Sequence, residues 1–245
     1  MLEIRHFSKT YSSGKRAVDD LSLTVETGSI YGFIGHNGAG KTTTLRSLAG
    51  ILDFEEGDIL IDGHSIRTEP VAAKQVTAFI PDNPDLYDFL TGIAYLNFIA
   101  DLYAIPAEKR QTLISKYGDA FELTGALGSP VAGYSHGMKQ KLALISALIR
   151  EPKLLVLDEP FVGLDPVASH ILKEYLHELC NNGAAVFFST HVLEVAQKLC
   201  DHIAIIRDGH LVECGKTEDV VGNSSLEEVF LELARQGGEA TEAVQ

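Results

Sequence analysis

The chain has 245 residues, 45% of them hydrophobic and 22% charged, an ordinary globular composition with enough apolar material for one large α/β domain or two small ones. Its formal net charge of −14 at pH 7 argues against a nucleic-acid binder, which needs clustered Lys and Arg to neutralise phosphates, and against adsorption to an anionic membrane surface. Any attachment to a membrane is therefore expected to run through another protein.

Leu2–Phe7 and Leu21–Val25 alternate apolar and polar residues around a Ser12-Ser13-Gly14 turn, the pattern of antiparallel strands. Ser29–Ile34 is a short apolar run ending at Gly35, as in a buried strand. A helix is expected over Thr42–Leu52, then a strand over Asp58–Ile61 with a turn at Asp62-Gly63. From about Thr91 to Arg150 the spacing becomes helical, punctuated by Pro106, Gly118, Gly125, Gly128 and Pro130. Within it Leu142–Ile149 reads as one buried helical segment, well short of the roughly 18–20 apolar residues that cross a bilayer. Leu154–Leu157 and Ala185–Phe188 are apolar strand candidates flanking a helical stretch over Val167–Cys180, an order that suggests a parallel sheet with right-handed crossovers. His202–Arg207 and His210–Cys214, joined by Asp208-Gly209, read as a hairpin. The chain after Gly237 is small, polar and acidic, and is expected to be disordered.

Cys180, Cys200 and Cys214 are widely spaced with no CxxC pair, so reduced thiols in a cytosolic protein are expected. The N-terminal MLEIRHFSKTY lacks a basic stretch followed by an apolar one, so no signal peptide is expected, and the protein reads as soluble. No internal repeat is visible.

Gly35-His36-Asn37-Gly38-Ala39-Gly40-Lys41-Thr42 has the G-x-x-x-x-G-K-[ST] spacing between an expected strand and an expected helix. Glycines allow the backbone angles that turn successive N–H groups around a polyphosphate, and the following helix aims its positive end at the same anion. The cradle residues Asn37, Gly38, Ala39, Gly40, Lys41, Thr42 and Thr43 are therefore candidate nucleotide contacts, with Lys41 on the β- and γ-phosphates and Thr42 offering a hydroxyl to Mg²⁺. At the end of the apolar run Leu154–Leu157, Asp158 and Glu159 place two carboxylates where open parallel sheets bind ligands. Asp158 suits the Mg²⁺ shell, and Glu159 suits orientation or deprotonation of an attacking water.

Three further stretches resemble the nucleotide-binding subunits of ABC transporters: Tyr134-Ser135-His136-Gly137-Met138-Lys139-Gln140, Gly163-Leu164-Asp165-Pro166, and His191 after Ser189-Thr190. The resemblance covers roughly residues 1–222. It implies an α/β fold with a P-loop NTPase (RecA-like) core and parallel sheet, an antiparallel β subdomain and an inserted helical subdomain. The core and antiparallel part would span about 1–81 and 151–222, the helical subdomain 82–150, and a C-terminal helix and tail 223–245. It also implies an ATP-hydrolysing dimer, of the chain with itself or with a related subunit. In it Ser135 and Gly137 of one subunit would reach the nucleotide held on the other's cradle, and Asp165 would cross the interface. His191 would sense the γ-phosphate, Tyr11 would stack on adenine, and Val18 would lie near it. The helix beginning near Met138 would add its positive end to the Ser135 site. The expected cofactors are ATP and Mg²⁺, and the expected partners are polytopic membrane permease subunits, with no nucleic acid and no direct membrane insertion. The expected place is the cytoplasm, on the inner face of the cell membrane.

Met138-Lys139-Gln140 and the Ser225–Leu231 segment resemble the exporter-type subgroup. Two positions depart from the family pattern. His136 replaces a glycine, and reads as a tolerated surface residue ahead of a pH sensor. Asp82, in Ile80-Pro81-Asp82-Asn83-Pro84, replaces a glutamine; it would reach the metal through water, or its loop would serve mechanical coupling alone. Leu86-Tyr87 and Phe89-Leu90-Thr91 resemble the segment that docks the membrane subunit, with packing inside the helical subdomain as the other reading. The rival functions are a soluble ABC-type ATPase that remodels protein or nucleic-acid complexes, and a regulatory subunit with weak hydrolysis.

Overall fold

A computed structural model describes residues 1–233, so the tail expected after Gly237 lies outside the described residues. The chain opens with Leu2–Thr10 (β1) and Arg16–Val25 (β2), which pair antiparallel with Leu2 opposite Val25 and Ile4 opposite Leu23. Then follow Ile30–Ile34 (β3), Lys41–Leu48 (α1), Glu56–Ile61 (β4), His64–Ser65 (β5), Pro70–Val76 (α2) and Thr77–Ile80 (β6). Gly92–Leu102 (α3), Ala107–Ala120 (α4) and His136–Leu148 (α5) come next, before Leu154–Asp158 (β7), Pro166–Asn181 (α6) and Ala185–Thr190 (β8). Leu193–Leu199 (α7), His202–Arg207 (β9), His210–Lys216 (β10) and Thr217–Val221 (α8) follow, and residues 226–233 are helical.

The strands form two sheets. An antiparallel one runs in the order β2-β1-β4-β5; the other runs β10-β9-β3-β8-β7-β6 and is parallel from β9 to β6, with β10 antiparallel at its edge. The apolar runs read as buried strands are buried on both faces, and their residues divide with period two. Tyr31, Phe33, Leu154, Val156, Ala185 and Phe187 pack into the core shared with the antiparallel sheet. Ile30, Ile34, Leu155, Leu157, Val186 and Phe188 pack into a second core with the helices. The α/β class, the mostly parallel sheet, the separate antiparallel sheet and the helical insertion all match the expectation.

Differences are local. The helix expected over Thr42–Leu52 stops at Leu48, because the N–H groups of Ile51 and Leu52 turn back to the Arg46 carbonyl and Gly50 takes φ 63°. The helix expected from Met138 begins at His136, with Ser135 as its N-cap. The sequence reading left out α2, β5, β6, α7 and α8, all of seven residues or fewer. Of these β6 matters most: as the sheet's last strand it pairs β7 from Thr77 opposite Leu154 to Ile80 opposite Leu157. The chain therefore leaves for α3, α4 and α5 from the C-terminal edge of the sheet, and α5 packs back along β6 on its return.

Candidate phosphate-binding and catalytic site

The loop from Gly35 to Gly40 turns from buried β3 into α1. Gly40 takes φ 114°, and a Cβ there would stand 2.6 Å from the Ala17 carbonyl oxygen, so only glycine fits. The β9–β10 turn holds the loop from outside: the Gly209 N–H donates to the Ala39 carbonyl at 3.0 Å, and the Gly209 carbonyl accepts from Asp19 N–H at 2.9 Å. Lys41 opens α1 and is 6% exposed. Its ammonium donates to the Gly35 carbonyl at 2.6 Å and lies 3.8 Å from the Glu159 carboxylate. Burial pushes the Lys41 pKa down, while Glu159 and Asp158 act the other way.

Asp158 ends β7 and is 1% exposed. Its Oδ1 accepts from the Ser189 hydroxyl, which the β7–β8 pairing of Asp158 with Ser189 brings within reach. Its Oδ2 is buried and has no hydrogen-bond partner among the described residues. Burial raises the Asp158 pKa, the Ser189 and Thr42 hydroxyls oppose that rise, and Asp82 and Glu159 add to it. A buried carboxylate oxygen beside a hydroxyl is a hard-oxygen donor set that fits Mg²⁺, which would satisfy the orphaned lone pairs. Asp158 and Thr42 are the residues that would hold it.

Glu159 sits at φ 47°, a left-handed conformation that costs a non-glycine residue about 1–2 kcal/mol. The conformation is held by its own N–H, which donates to the Ser189 carbonyl at 3.2 Å and to the Ser189 hydroxyl at 3.1 Å. The Glu159 carboxylate meets His191 Nδ1 at 2.9 Å and the His191 N–H at 3.4 Å. The end of β8 thus shapes the end of β7. Ser189 is the member of this cluster that sequence reasoning missed, and its only signal was its place just before Thr190-His191.

Lys41, Thr42, Asp158 and Glu159 border a cavity of about 420 Å³, lined also by Tyr11, Lys15, Ala17, Asn37, Gly38 and Asp82, while Ser189 and His191 hold the two carboxylates from outside its lining. The Tyr11 hydroxyl is 3.0 Å from that of Thr43, which fixes the ring at the mouth. Val18 is fully buried behind Gly40, and Ala17 takes the place on the wall expected of Val18. The one-residue shift follows from strand alternation, which points neighbours to opposite faces. Asp82 is exposed and close enough to act on the Asp158 charge. A larger depression of about 570 Å³ between α4 and α6 is lined by Lys116, Lys153, Glu151, Glu178, Tyr117 and Tyr175, and none of the cradle residues reaches it.

Ser135, Gly137 and Asp165 do not line that cavity. They lie together on an exposed edge, at the start of α5 and in the loop after β7. The Ser135 hydroxyl accepts from Met138 N–H at 3.3 Å. Asp165 caps α6 by accepting from Ala168 N–H at 2.8 Å, and Lys141, 2.8 Å away, holds its carboxyl down at about 2. Leu86 is buried, but Tyr87, Phe89 and Phe98 are exposed, Phe89 to 82%, with the Tyr87 ring 5.8 Å from Phe89 and 5.7 Å from Phe98. Of the two readings of this segment, the aromatics face outward. Among the described residues no helix is long and apolar enough to cross a membrane.

The family model described as ABC transporter matches residues 18–162. An uncharacterized ABC transporter ATP-binding protein of Bacillus subtilis, YhcH, is 38% identical over 89% of this chain and 71% of its own length. The ABC transporter ATP-binding protein NatA of the same organism is 32% identical over 94% of this chain and 95% of its own. A solved structure described as the ATP binding subunit of an ABC transporter superposes with a TM-score of 0.91 at 33% identity, over 96% of this chain and 99% of that one.

Proposed function

Because the chain belongs to the ABC transporter family, among its ATP-binding subunits, we propose that it hydrolyses Mg-ATP between two such subunits and so drives separate polytopic membrane subunits, in the direction of export. The observation that carries this reading is the convergence of Lys41, Asp158, Glu159 and His191 at one edge of the parallel sheet.

Lys41 and the N–H groups at the start of α1 would cradle the β- and γ-phosphates, and the Tyr11 ring would stack on adenine. Mg²⁺, held by Thr42 and Asp158 with Asp82 reaching it through water, would draw charge from the phosphate oxygens. Glu159 would accept a hydrogen bond from the attacking water and take its proton as oxygen bonds to the γ-phosphorus and the ADP β-oxygen leaves. His191, 2.9 Å from that carboxylate, would fix its direction and touch the γ-phosphate. Little covalent work falls to the protein, so positioning and charge supply the acceleration.

Ser135, the Gly137 N–H and the start of α5 form a second anion site that has no phosphate of its own chain to serve, which supports the dimer. The partner is a second copy or a related subunit. The exposed Tyr87, Phe89 and Phe98 cluster supports docking of a short helix from a membrane subunit. Through it the protein would sit on the cytoplasmic face of the cell membrane. The likeness of Met138-Lys139-Gln140 and Ser225–Leu231 to the exporter type supports the direction. Glu159→Gln should bind Mg-ATP, lose about 10³-fold in turnover and accumulate as a dimer in size-exclusion chromatography. Undiminished phosphate release by that variant would overturn the proposal.

A further inference from the structure

The first turns of α5 and the loop between β7 and α6 touch at three points within one chain. The edge of the His136 imidazole lies over Gly163, where a Cβ would stand 2.6 Å from Cδ2 and 2.9 Å from Nε2. Gly137 backs onto the Gly163 carbonyl oxygen, which a Cβ at 137 would approach to 2.9 Å. Further along α5, Lys141 pairs with Asp165 at 2.8 Å. Gly163 holds φ 82°, so it cannot readily carry a side chain of its own, and the imidazole fills the space that this leaves. The His136 side chain makes no hydrogen bond or ion pair among the described residues, so the contact is one of shape.

We propose that His136 is a positioning residue that braces loop 161–165 against the first turn of α5, so that Ser135, Gly137 and Asp165 meet the neighbouring subunit's cradle as one piece. The proposal rests on the dimeric ATPase reading above. With glycine at 136, the outer end of the loop would depend on the Lys141–Asp165 pair, whose carboxylate is solvent-exposed and screened by salt. A planar ring packed over Gly163 removes that freedom. His136 does not line the cavity, so the chain's own cradle should bind nucleotide without it.

The test compares His136→Gly with His136→Phe, which keeps a ring over Gly163 and has no nitrogen. In His136→Gly, turnover should fall about tenfold and the Hill coefficient for ATP should drop from about 2 towards 1. Binding of a fluorescent ATP analogue to the monomer should stay within about twofold, and amide exchange of residues 162–165 should quicken. His136→Phe should restore most of the turnover and slow the exchange again. Unchanged turnover and Hill coefficient in His136→Gly, or a His136→Phe variant no better than the glycine one, would overturn the brace. Glu159→Gln run alongside separates the two failures. Turnover that survives it overturns the ATPase reading itself, whereas turnover lost there and intact in His136→Gly overturns the brace alone.

Discussion

Lys41 and Asp158 are 6% and 1% exposed, while Ser135 and Asp165 stand open to solvent. The first pair is set in a cradle lined by the turn into β2, the loop after β3, the start of α1, Asp82 and the end of β7; the second occupies an edge that is open to solvent among the described residues. Burial makes charges act strongly on one another but destabilises each of them, so the cradle carries its electrostatic cost before any nucleotide arrives. The exposed edge carries almost none, since water serves its polar groups until a second chain replaces it. One half of the site is thus ready in the monomer, and the other gains meaning only by assembly.

Removing the buried cation should break this contrast most severely. Lys41→Ala should lose about 10³-fold in turnover together with ATP binding by the monomer, read by phosphate release and by titration with a fluorescent analogue. Ser135→Ala should act on the other half alone. Its turnover should fall about tenfold with monomer affinity unchanged, and loss of the cap should cost about 1 kcal/mol in denaturant unfolding. Equal loss of affinity in both variants would erase the division between the halves.

The smallest effect is the most diagnostic of burial. Asp158 has a folded pKa raised above its ordinary 3.8, so the folded state binds this proton more tightly than the unfolded chain does. Its contribution to stability is therefore complete below the unfolded value and is lost as pH rises through the folded one. Asp158→Asn should be inactive yet more stable than wild type at pH 7, as measured by urea unfolding. That advantage should shrink as pH falls towards 3.8. A variant less stable than wild type at neutral pH would mean that the Ser189 and Thr42 hydroxyls outweigh burial.

The same contrast explains what could be read in advance. The cradle is local chemistry: eight consecutive residues with fixed spacing, between an apolar run and a helical one. The Asp158-Glu159 pair at the end of Leu154–Leu157 is nearly as local. Strand alternation was legible too, yet it was not applied finely enough to choose Ala17 over Val18. Contacts made across the fold had no such signal. Asp158 finds Ser189, 31 residues away, only because β7 and β8 pair in parallel. His136 finds Gly163, and Lys141 finds Asp165, only because α5 returns along the sheet. The four-residue β6 is too short to display a period, although the whole helical excursion starts from it.

That return helix has a mechanical consequence. α5 is open at its first turn and buried from Leu142 to Leu148, so it is clamped in the core at one end and held at the other by surface contacts, Lys139 with Asp88 and Lys141 with Asp165 among them. Its 13 residues make a rod about 20 Å long. A tilt of about 10° about the clamped end would carry the tip some 3–4 Å, roughly the span over which a hydrogen bond is made or lost. With loop 161–165 fastened to the tip, Asp165 would travel with Ser135, and both contacts would open or close in one stroke. A small angle deep in the core would thus be read out as a nearly digital change at the subunit boundary.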